Sequence, residues 1–407
     1  MTSRTLTPDS RWLLPLLAAL AALGPLTVDM YLPAMPTMRD ALNTSAGNIQ
    51  LTLSAYLAGF SIFHLACGPL ADRFGRKPVI QGGTLLFVAA SLGCALAQSV
   101  EQLLLFRFLQ GVGACVGPTL ARAIARDLFG PRKAARALSL IAMLMALAPA
   151  VAPTAGGLML LVLPWQSIFV FLAGYGGLML WLQGRYLAES LPQPQSMAPR
   201  AILGNYSRLL TAPGFIVVVV ASSLSYAGMM VYLASASFVY MEMLGVPVAW
   251  FGAVFLTTVI GYMLGSALSA RLSGYMESWP LVLLGALLAA IACLSMSALA
   301  WAFPESISAI MLPAMLYTAA LGLVLPHAMG IALQPWPHMA GTASSLMGFI
   351  QMGVSALAAA SVGPFLRDSP FPMLAAMTGL SLLGLLLSLL GRHLTRNDPV
   401  AAPGETT

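Results

Sequence analysis

The chain alternates between long apolar runs and short polar connections. A membrane-spanning helix needs roughly 20 apolar residues, whereas a strand of a membrane barrel would alternate in polarity over about ten. The runs are too long and too uniformly apolar for such strands, and the pattern therefore predicts an all-α membrane protein. It places twelve transmembrane helices at Trp12–Ala34, Ile49–Ala71, Val79–Gln98, Gln102–Arg126, Arg136–Leu161, Gln166–Leu187, Pro213–Tyr240, Trp250–Ala270, Trp279–Phe303, Ile307–Leu333, Ala340–Gly363 and Phe371–Gly391.

Composition supports this prediction. Of 407 residues, 59% are hydrophobic and 8% are charged, and the mean hydropathy is +0.87. An ordinary soluble domain has about 25% charged residues. The composition therefore excludes a cytosolic enzyme, a nucleic-acid-binding protein and a disordered chain.

Residues that could carry enzyme chemistry are scattered. Lys77 and Lys133 are the only lysines, and neither stands in the Gly-Lys-Ser/Thr sequence of a nucleotide-binding loop. The four cysteines lie singly in apolar runs, and the four histidines form no spacing typical of a metal site. We expect no enzyme activity, no metal and no cofactor.

Basic residues indicate the orientation, because they accumulate on the cytoplasmic side of membrane proteins. With the N-terminus inside, only Arg39 and Arg367 fall in outer connections, and Arg107 lies within the fourth run. The net charge of +6 thus reflects topology rather than a nucleic-acid partner. We expect an even number of spans with both termini cytoplasmic.

The longest polar stretch divides the chain into two halves. We predict a six-helix bundle over 1–187, a cytoplasmic linker over 188–212, a second six-helix bundle over 213–394 and a cytoplasmic tail over 395–407. The connection after span four and the one after span ten share Pro, Ala, Ser and Leu at one fixed offset. This repetition indicates two pseudo-symmetric bundles.

The connection between spans two and three reads Gly68-Pro-Leu-Ala-Asp-Arg-Phe-Gly-Arg-Lys-Pro78. It resembles the signature loop of the major facilitator superfamily. The resemblance implies that Asp72 pairs with Arg122 or Arg126 at the end of span four and braces the outward-facing state. The loop could instead be a basic topology anchor only. Its predicted switch residues are Gly68, Asp72, Arg73, Gly75, Arg76, Arg122 and Arg126.

Spans four and five carry two further patterns. In span four, Arg107, Gln110 and Gly111 share one helical face, and this resembles the Arg-x-x-Gln-Gly motif of proton-coupled members. A guanidinium inside a membrane faces a cavity or a partner, although Arg107 could simply serve neighbouring carbonyls. In span five, Pro149, Pro153 and Gly156 predict a bent, closely packed helix, also part of the switch. The segment resembles the antiporter motif, with Ala148 and Ala152 in place of two glycines.

Asp29 is the only acid well inside the first run. With the segments ending at Tyr56 and at Ser345, its surroundings resemble the Bcr/CflA family of twelve-span drug:proton antiporters. The resemblance implies an exporter of the bacterial inner membrane. Asp29 could alternatively be an interfacial residue in contact with periplasmic water.

Methionine and aromatic residues concentrate in spans that resemble the cavity-lining helices of the family. Such surfaces can repack around different apolar ligands, although each stripe alone could be ordinary packing. The predicted substrate contacts are Tyr31, Tyr56, Phe60, Met143, Met145, Tyr226, Met229, Met230, Leu233, Phe349 and Met352.

These patterns predict a secondary antiporter that exports small amphipathic drugs by alternating access. Asp29 and Arg107 are its predicted proton-coupling pair, while Glu242 and Asp127 lie near span ends. The alternative is an exporter of a metabolite, such as nucleosides or amino-acid derivatives, on the same scaffold. We expect protons, the substrate and the lipid bilayer as partners, no nucleic acid, and a monomer.

Overall fold

The computed structural model describes residues 6, 10–145, 147–191, 199–366 and 369–396, which are almost entirely helical and contain no strand. The predicted tail therefore lies outside the described residues from residue 397 onward, and Arg367 also lies outside them. The α-helices are α1 Leu13–Asp29, α2 Met35–Ala41, α3 Ala46–Phe74, α4 Arg76–Leu96, α5 Val100–Ala114, α6 Val116–Met145, α7 Leu147–Met159, α8 Gln166–Tyr186, α9 Pro199–Leu210, α10 Pro213–Ser237, α11 Val248–Leu272, α12 Ser278–Ala302, α13 Ile307–Leu333, α14 Ala340–Val362 and α15 Phe371–Arg396.

Twelve segments of the described chain are long and apolar enough to cross a membrane, which confirms the predicted spans. Their bounds differ from the predicted ones by a few residues in most cases. Span one is the exception, because a 3₁₀ turn at Leu32–Ala34 and the short helix α2 extend it to Ala41. Span four, Val100–Phe129, joins α5 to the first part of α6, and span seven, Pro213–Met243, ends in a π-helical turn at Phe238–Met243.

Local chemistry fixes several helix ends. Ser45 and Ser99 have extended backbones, and their hydroxyls accept hydrogen bonds from the amides of Asn48 and Gln102. These are the N-caps of α3 and α5, which satisfy amides that a helix leaves unpaired. Gly75 has a φ of +100°, a conformation that side chains disfavour, and it separates α3 from α4.

The chain forms two compact units. The first contains Met1–Ala198 together with Ala234–Leu256 and Gly363–Arg367. The second contains Pro199–Leu233, Thr257–Val362 and Asp368–Thr407. The connection predicted as a linker includes the helix α9 within the second unit.

In the first unit, the segment from the end of span seven packs with the N-terminal helices. The Gln50 side chain donates hydrogen bonds to the Ala234 carbonyl at 3.1 Å and to the Ser235 hydroxyl at 3.2 Å. Arg39 forms ion pairs with Glu242 at 2.8 Å and with Asp40 at 2.7 Å. Glu242 is therefore tied to a cation near the end of span one.

The second unit has its own buried core. Tyr317 of α13 is 1% exposed, and its hydroxyl donates to the Ser225 carbonyl of α10. The His327 ring lies within hydrogen-bonding distance of Ser269 at 2.9 Å and of Ser278 at 3.2 Å. These contacts join α10, α11 and α12 to α13 inside this unit.

Candidate functional site

Arg107 is the largest fully buried side chain in the described part of the protein, with 0% of its surface exposed. Its guanidinium carbon lies 4.2 Å from the ring centre of Tyr31, 4.7 Å from that of Tyr56 and 5.8 Å from that of Phe169. Distances below about 6 Å give cation–π attraction. Two of the predicted substrate contacts, Tyr31 and Tyr56, thus form an aromatic cage around the predicted coupling residue.

Gln110 holds the guanidinium from one side. The Arg107 Nη1 donates to the Gln110 Oε1 at 2.7 Å, and the Gln110 Nε2 donates to the Ser91 hydroxyl at 2.8 Å. The Ser91 hydroxyl in turn donates to the Phe87 carbonyl at 2.7 Å. The three-residue spacing that places Arg107 and Gln110 on one face of α5 therefore produces a hydrogen-bonded chain between α5 and α4.

Most of the Arg107 hydrogen-bonding capacity is unused. Its Nε and Nη2 atoms are buried and have no hydrogen-bond partner among the described residues. No ion pair to Arg107 is present in that part of the chain either. An unpartnered buried donor costs about 1–3 kcal/mol, so the site holds a cation that is only partly satisfied.

Close contact between α3 and α5 explains why Tyr56 reaches Arg107. A Cβ atom on Gly111 would collide with the Tyr56 carbonyl, and one on Gly59 would collide with the Phe108 carbonyl. The two glycines thus let the helix backbones touch, as small residues do in membrane proteins. The glycine of the Arg-x-x-Gln-Gly pattern serves this approach.

Asp29 is the last residue of α1 and is 4% exposed. Within the described chain its carboxylate forms no ion pair. The nearby hydroxyls of Thr27 and Tyr31 are hydrogen-bonded elsewhere, to the Leu23 carbonyl and the Thr52 hydroxyl. The Tyr56 ring stacks on Arg107, and its hydroxyl donates to the Gly24 carbonyl of α1 at 3.3 Å. Tyr56 therefore connects Arg107 to the helix that carries Asp29, while the two predicted coupling residues form no ion pair with each other.

The loop between spans two and three forms the second cluster. Asp72 pairs with Arg76 at 2.6 Å, and the same Arg76 reaches Asp127 of α6 at 3.1 Å. The pair expected between Asp72 and Arg122 or Arg126 is not formed in this structure. Arg122 instead donates to the Pro118 carbonyl of its own helix at 2.8 Å, while the partner of Asp72 is Arg76, four residues further along the chain and across the Gly75 break.

Comparison with known proteins agrees with this geometry. Residues 17–360 match the profile of the Major Facilitator Superfamily. The chain belongs to this superfamily. Its all-helical, twelve-span architecture is that of a major facilitator transporter.

Individual relatives indicate which branch of the superfamily the chain resembles. The chain is 32% identical to the Uncharacterized MFS-type transporter YdgK of Bacillus subtilis, over 91% of this chain and 93% of that protein. It is 29% identical to the Multidrug resistance protein D of Escherichia coli, over 93% of each. It is also 29% identical to the Bicyclomycin resistance protein homolog of Haemophilus influenzae, over 89% of this chain and 91% of that protein. These relatives confirm the resemblance to the Bcr/CflA type.

A solved structure supports the fold. The D-xylose-proton symporter superimposes with a TM-score of 0.75 over 93% of this chain and 96% of that chain, at 15% sequence identity. At this identity the likeness concerns the major facilitator fold alone.

Glu189 is a site residue of this transporter that sequence reasoning missed. Its two carboxylate oxygens accept from the backbone amides of Arg76 at 2.9 Å and Lys77 at 3.0 Å, the first two residues of α4. A carboxylate is favoured at a helix N-terminus. A Cβ on Gly75 would lie 2.5 Å from this carboxylate, so the glycine also makes room for the cap. No local pattern signals a contact across more than 100 residues.

The remaining predicted substrate contacts lie in different surroundings. Phe60 is buried, and its ring centre lies 6.3 Å from that of Tyr56. Met143 is 61% exposed and Met145 is partly exposed, so neither belongs to the Arg107 cage. The others belong to the second unit, where Met230 and Leu233 are buried while Tyr226, Met229, Phe349 and Met352 are partly exposed.

The switch residues of span five pack against span one. Pro153 and Gly156 are buried in α7, and a Cβ on Gly156 would collide with the Met30 carbonyl. Met30 directly follows Asp29. The antiporter-like segment thus touches the backbone next to the predicted proton site. Pro149, one turn before Pro153, lies in the same helix, and Gly68 and Arg73 belong to the end of α3.

Proposed function

We propose that this transporter exports small amphipathic drugs in exchange for protons, with Asp29 as the proton-binding group. The observation that carries the proposal is the pair of buried, unpaired ionisable groups in the first unit, Asp29 and Arg107. Isolated charges in a membrane interior are costly and usually mark ion pathways. The drug-resistance names of the relatives support the substrate class.

In this mechanism Asp29 binds a proton from the periplasm and releases it to the cytoplasm, with both termini on the cytoplasmic side. The drug and the proton bind in turn, because occupancy by either one lowers the affinity of the transporter for the other. Arg107 serves as the cation that can approach the deprotonated carboxylate in another conformation. Tyr56 contacts Arg107 and is hydrogen-bonded to α1, the helix that carries Asp29, so such a movement would change its surroundings.

The driving force is sufficient for export. One charge that moves through 100 mV provides about 2.3 kcal/mol, and a pH difference of one unit adds about 1.4 kcal/mol. Together these sustain a drug gradient of a few hundredfold, since every 1.4 kcal/mol corresponds to about a factor of ten.

The test uses proteoliposomes in which a pH gradient drives uptake of a fluorescent cationic drug. Asp29→Asn should abolish uphill transport and leave drug binding measurable. Asp40→Asn is the matched control, because this acid lies in the same span but its side chain is 68% exposed. If Asp29→Asn still builds a gradient that an uncoupler collapses, Asp29 is not the proton-binding group.

A second measurement separates drugs from metabolites. The purified transporter is heated with each member of a panel of amphipathic drugs and nucleosides, and the shift of its melting temperature is recorded. A ligand that binds the folded state raises this temperature by mass action. Stabilisation by nucleosides and by none of the drugs would reject the proposed substrate class and support a metabolite exporter.

A further inference from the structure

An apolar groove of about 450 Å³ lies between α1 and α8 and shares no lining residue with the Arg107 cage. The groove lies beside the first residues of α1 and the last residues of α8. Its walls include Trp12, Leu16 and Ala19 from the start of span one and Met179, Leu182 and Tyr186 from the end of span six. The volume falls in the range of small-molecule sites, about 300–1,000 Å³.

Two hydrogen bonds connect the elements that form the groove. The Tyr175 hydroxyl donates to the Ala19 carbonyl at 2.8 Å, which joins α8 to α1. The amide of Leu6, a residue of the groove wall before α1, donates to the Tyr186 carbonyl at 2.8 Å. One bond therefore joins the two helices, and the other ties the N-terminal segment to the end of α8.

Two arginines stand at the rim. The Arg11 guanidinium stacks at 5.4 Å on the ring of Trp12, and the Arg185 guanidinium stacks at 6.0 Å on the ring of Tyr186. Both arginines are exposed, and neither has an ion-pair partner among the residues that the structure describes. Since each guanidinium stacks on a ring that lines the groove, Arg11 and Arg185 lie beside the groove.

The surroundings are those of a membrane interface. Trp12 is 60% exposed and Trp181 is 57% exposed, and the Trp181 ring packs edge-on against Tyr186 at 6.1 Å. Tryptophan and tyrosine concentrate at the level of lipid headgroups, and arginines accompany them on the cytoplasmic side. The aromatic and basic residues therefore indicate that the groove begins at the headgroup level and extends toward the apolar part of the bilayer.

We propose that this groove binds one anionic phospholipid, with an acyl chain along the apolar walls and the phosphate between Arg11 and Arg185. The planar guanidinium matches a phosphate with two parallel hydrogen bonds. Basic clusters beside membrane helices select anionic lipids. A zwitterionic lipid offers the same chain and a phosphate, but its ammonium group cancels the net attraction. This lipid is a resident ligand, distinct from the transported drug.

The experiment measures lipid preference at Trp12 itself. A protein that retains only Trp12, with the other tryptophans changed to Phe, is reconstituted in phosphatidylcholine bilayers with increasing phosphatidylglycerol. Bromine on the acyl chains of one lipid or the other quenches the fluorescence on contact. The ratio of the quenching by brominated phosphatidylglycerol to that by brominated phosphatidylcholine gives the relative binding constant of the two lipids at the groove. A second protein that retains only Trp301, which is 78% exposed at the end of α12, reports an ordinary lipid-facing position.

We expect Trp12 to prefer the anionic lipid by fivefold or more, since each arginine near the surface contributes roughly a factor of five. Trp301 should show a ratio near one. The double variant Arg11→Gln with Arg185→Gln should bring the Trp12 ratio to near one. The control double variant Arg208→Gln with Arg271→Gln removes the same charge from the ends of α9 and α11 and should leave the ratio unchanged.

Three results would overturn the proposal. The first is equal quenching of Trp12 by the two lipids. The second is a preference for the anionic lipid that remains after Arg11 and Arg185 are replaced. The third is a loss of that preference in the control double variant as large as in the Arg11 and Arg185 variant. A misfolded variant is recognised independently, because its size-exclusion profile and its Trp301 quenching would also change.

Discussion

Replacement of Arg107 by methionine should separate stability from transport. The substitution removes the positive charge while it keeps a long apolar side chain in the same cage. A methionine sulfur also makes favourable contacts with aromatic rings, which Tyr31, Tyr56 and Phe169 provide. We expect Arg107→Met to abolish proton-driven export and to leave the folding stability nearly unchanged.

The magnitude follows from the contacts of the guanidinium. Desolvated cation–π contacts contribute about 2 kcal/mol, and the charge-assisted hydrogen bond to Gln110 contributes about 1.5–3 kcal/mol. Against these stand two unpartnered nitrogen atoms at about 1–3 kcal/mol each and the desolvation of an unpaired charge. Methionine removes all four contributions and leaves the Gln110 oxygen without its donor. The free energy of unfolding should therefore fall by no more than about 2 kcal/mol.

The assay compares melting temperature in one detergent with transport in proteoliposomes for the wild type, Arg107→Met and Arg107→Lys. The melting temperature of Arg107→Met should stay within about 5 °C of the wild type. Arg107→Lys should keep at most part of the transport, because the planar fork is lost. A fall of more than about 10 °C for Arg107→Met, recovered in Arg107→Lys, would refute this reasoning and make Arg107 a structural hub.

Two further predictions concern other parts of the molecule. Glu189→Ala should lower the free energy of unfolding by about 1–2 kcal/mol, because α4 loses the acceptor of its first two amides. Glu277→Ala is the matched control, since Glu277 occupies the N-cap of α12 without a side-chain cap hydrogen bond, and thermal melts that treat the two alike would contradict the prediction. If one proton is exchanged per drug, export of a neutral drug should respond to membrane potential and to the pH gradient, whereas export of a monovalent cation should respond to pH alone. Proteoliposomes with the two gradients imposed separately measure this, and equal potential dependence for both drugs would require a second proton carrier.

The spans were predictable because lipid imposes a simple rule on length and polarity. A helix that crosses the bilayer needs enough apolar residues to do so, and the twelve runs met that requirement. The link from Arg107 to Gln110 was also predictable, because residues three apart share a helix face. Both inferences depend on neighbours in the chain.

Contacts between distant segments could not be predicted in the same way. The carboxylate of Glu189 accepts hydrogen bonds from backbone N–H groups, which every residue except proline possesses, so no particular residue type marks its target in the sequence. The stacking of Tyr31 and Tyr56 on Arg107 depends on how span one, α3 and α5 converge. The partner of Asp72 depends on which of several nearby arginines the conformation brings within reach, and here it is Arg76.

The close approach of α3 and α5 leads to a last prediction, Gly111→Ala. In an exposed helix interior, alanine is more favourable than glycine by about 0.5–1 kcal/mol. At Gly111 the added methyl group would meet the Tyr56 carbonyl, and overpacking of this kind costs about 1–3 kcal/mol.

Because the helices must separate, the Tyr56 ring should move away from the Arg107 guanidinium, and transport should fall together with stability. Gly82→Ala is the control, since a Cβ on Gly82 has no neighbour within 4 Å; it should leave transport unchanged and stability equal or slightly higher. If Gly111→Ala behaves like Gly82→Ala in both measurements, close contact of these two helices does not position the coupling site.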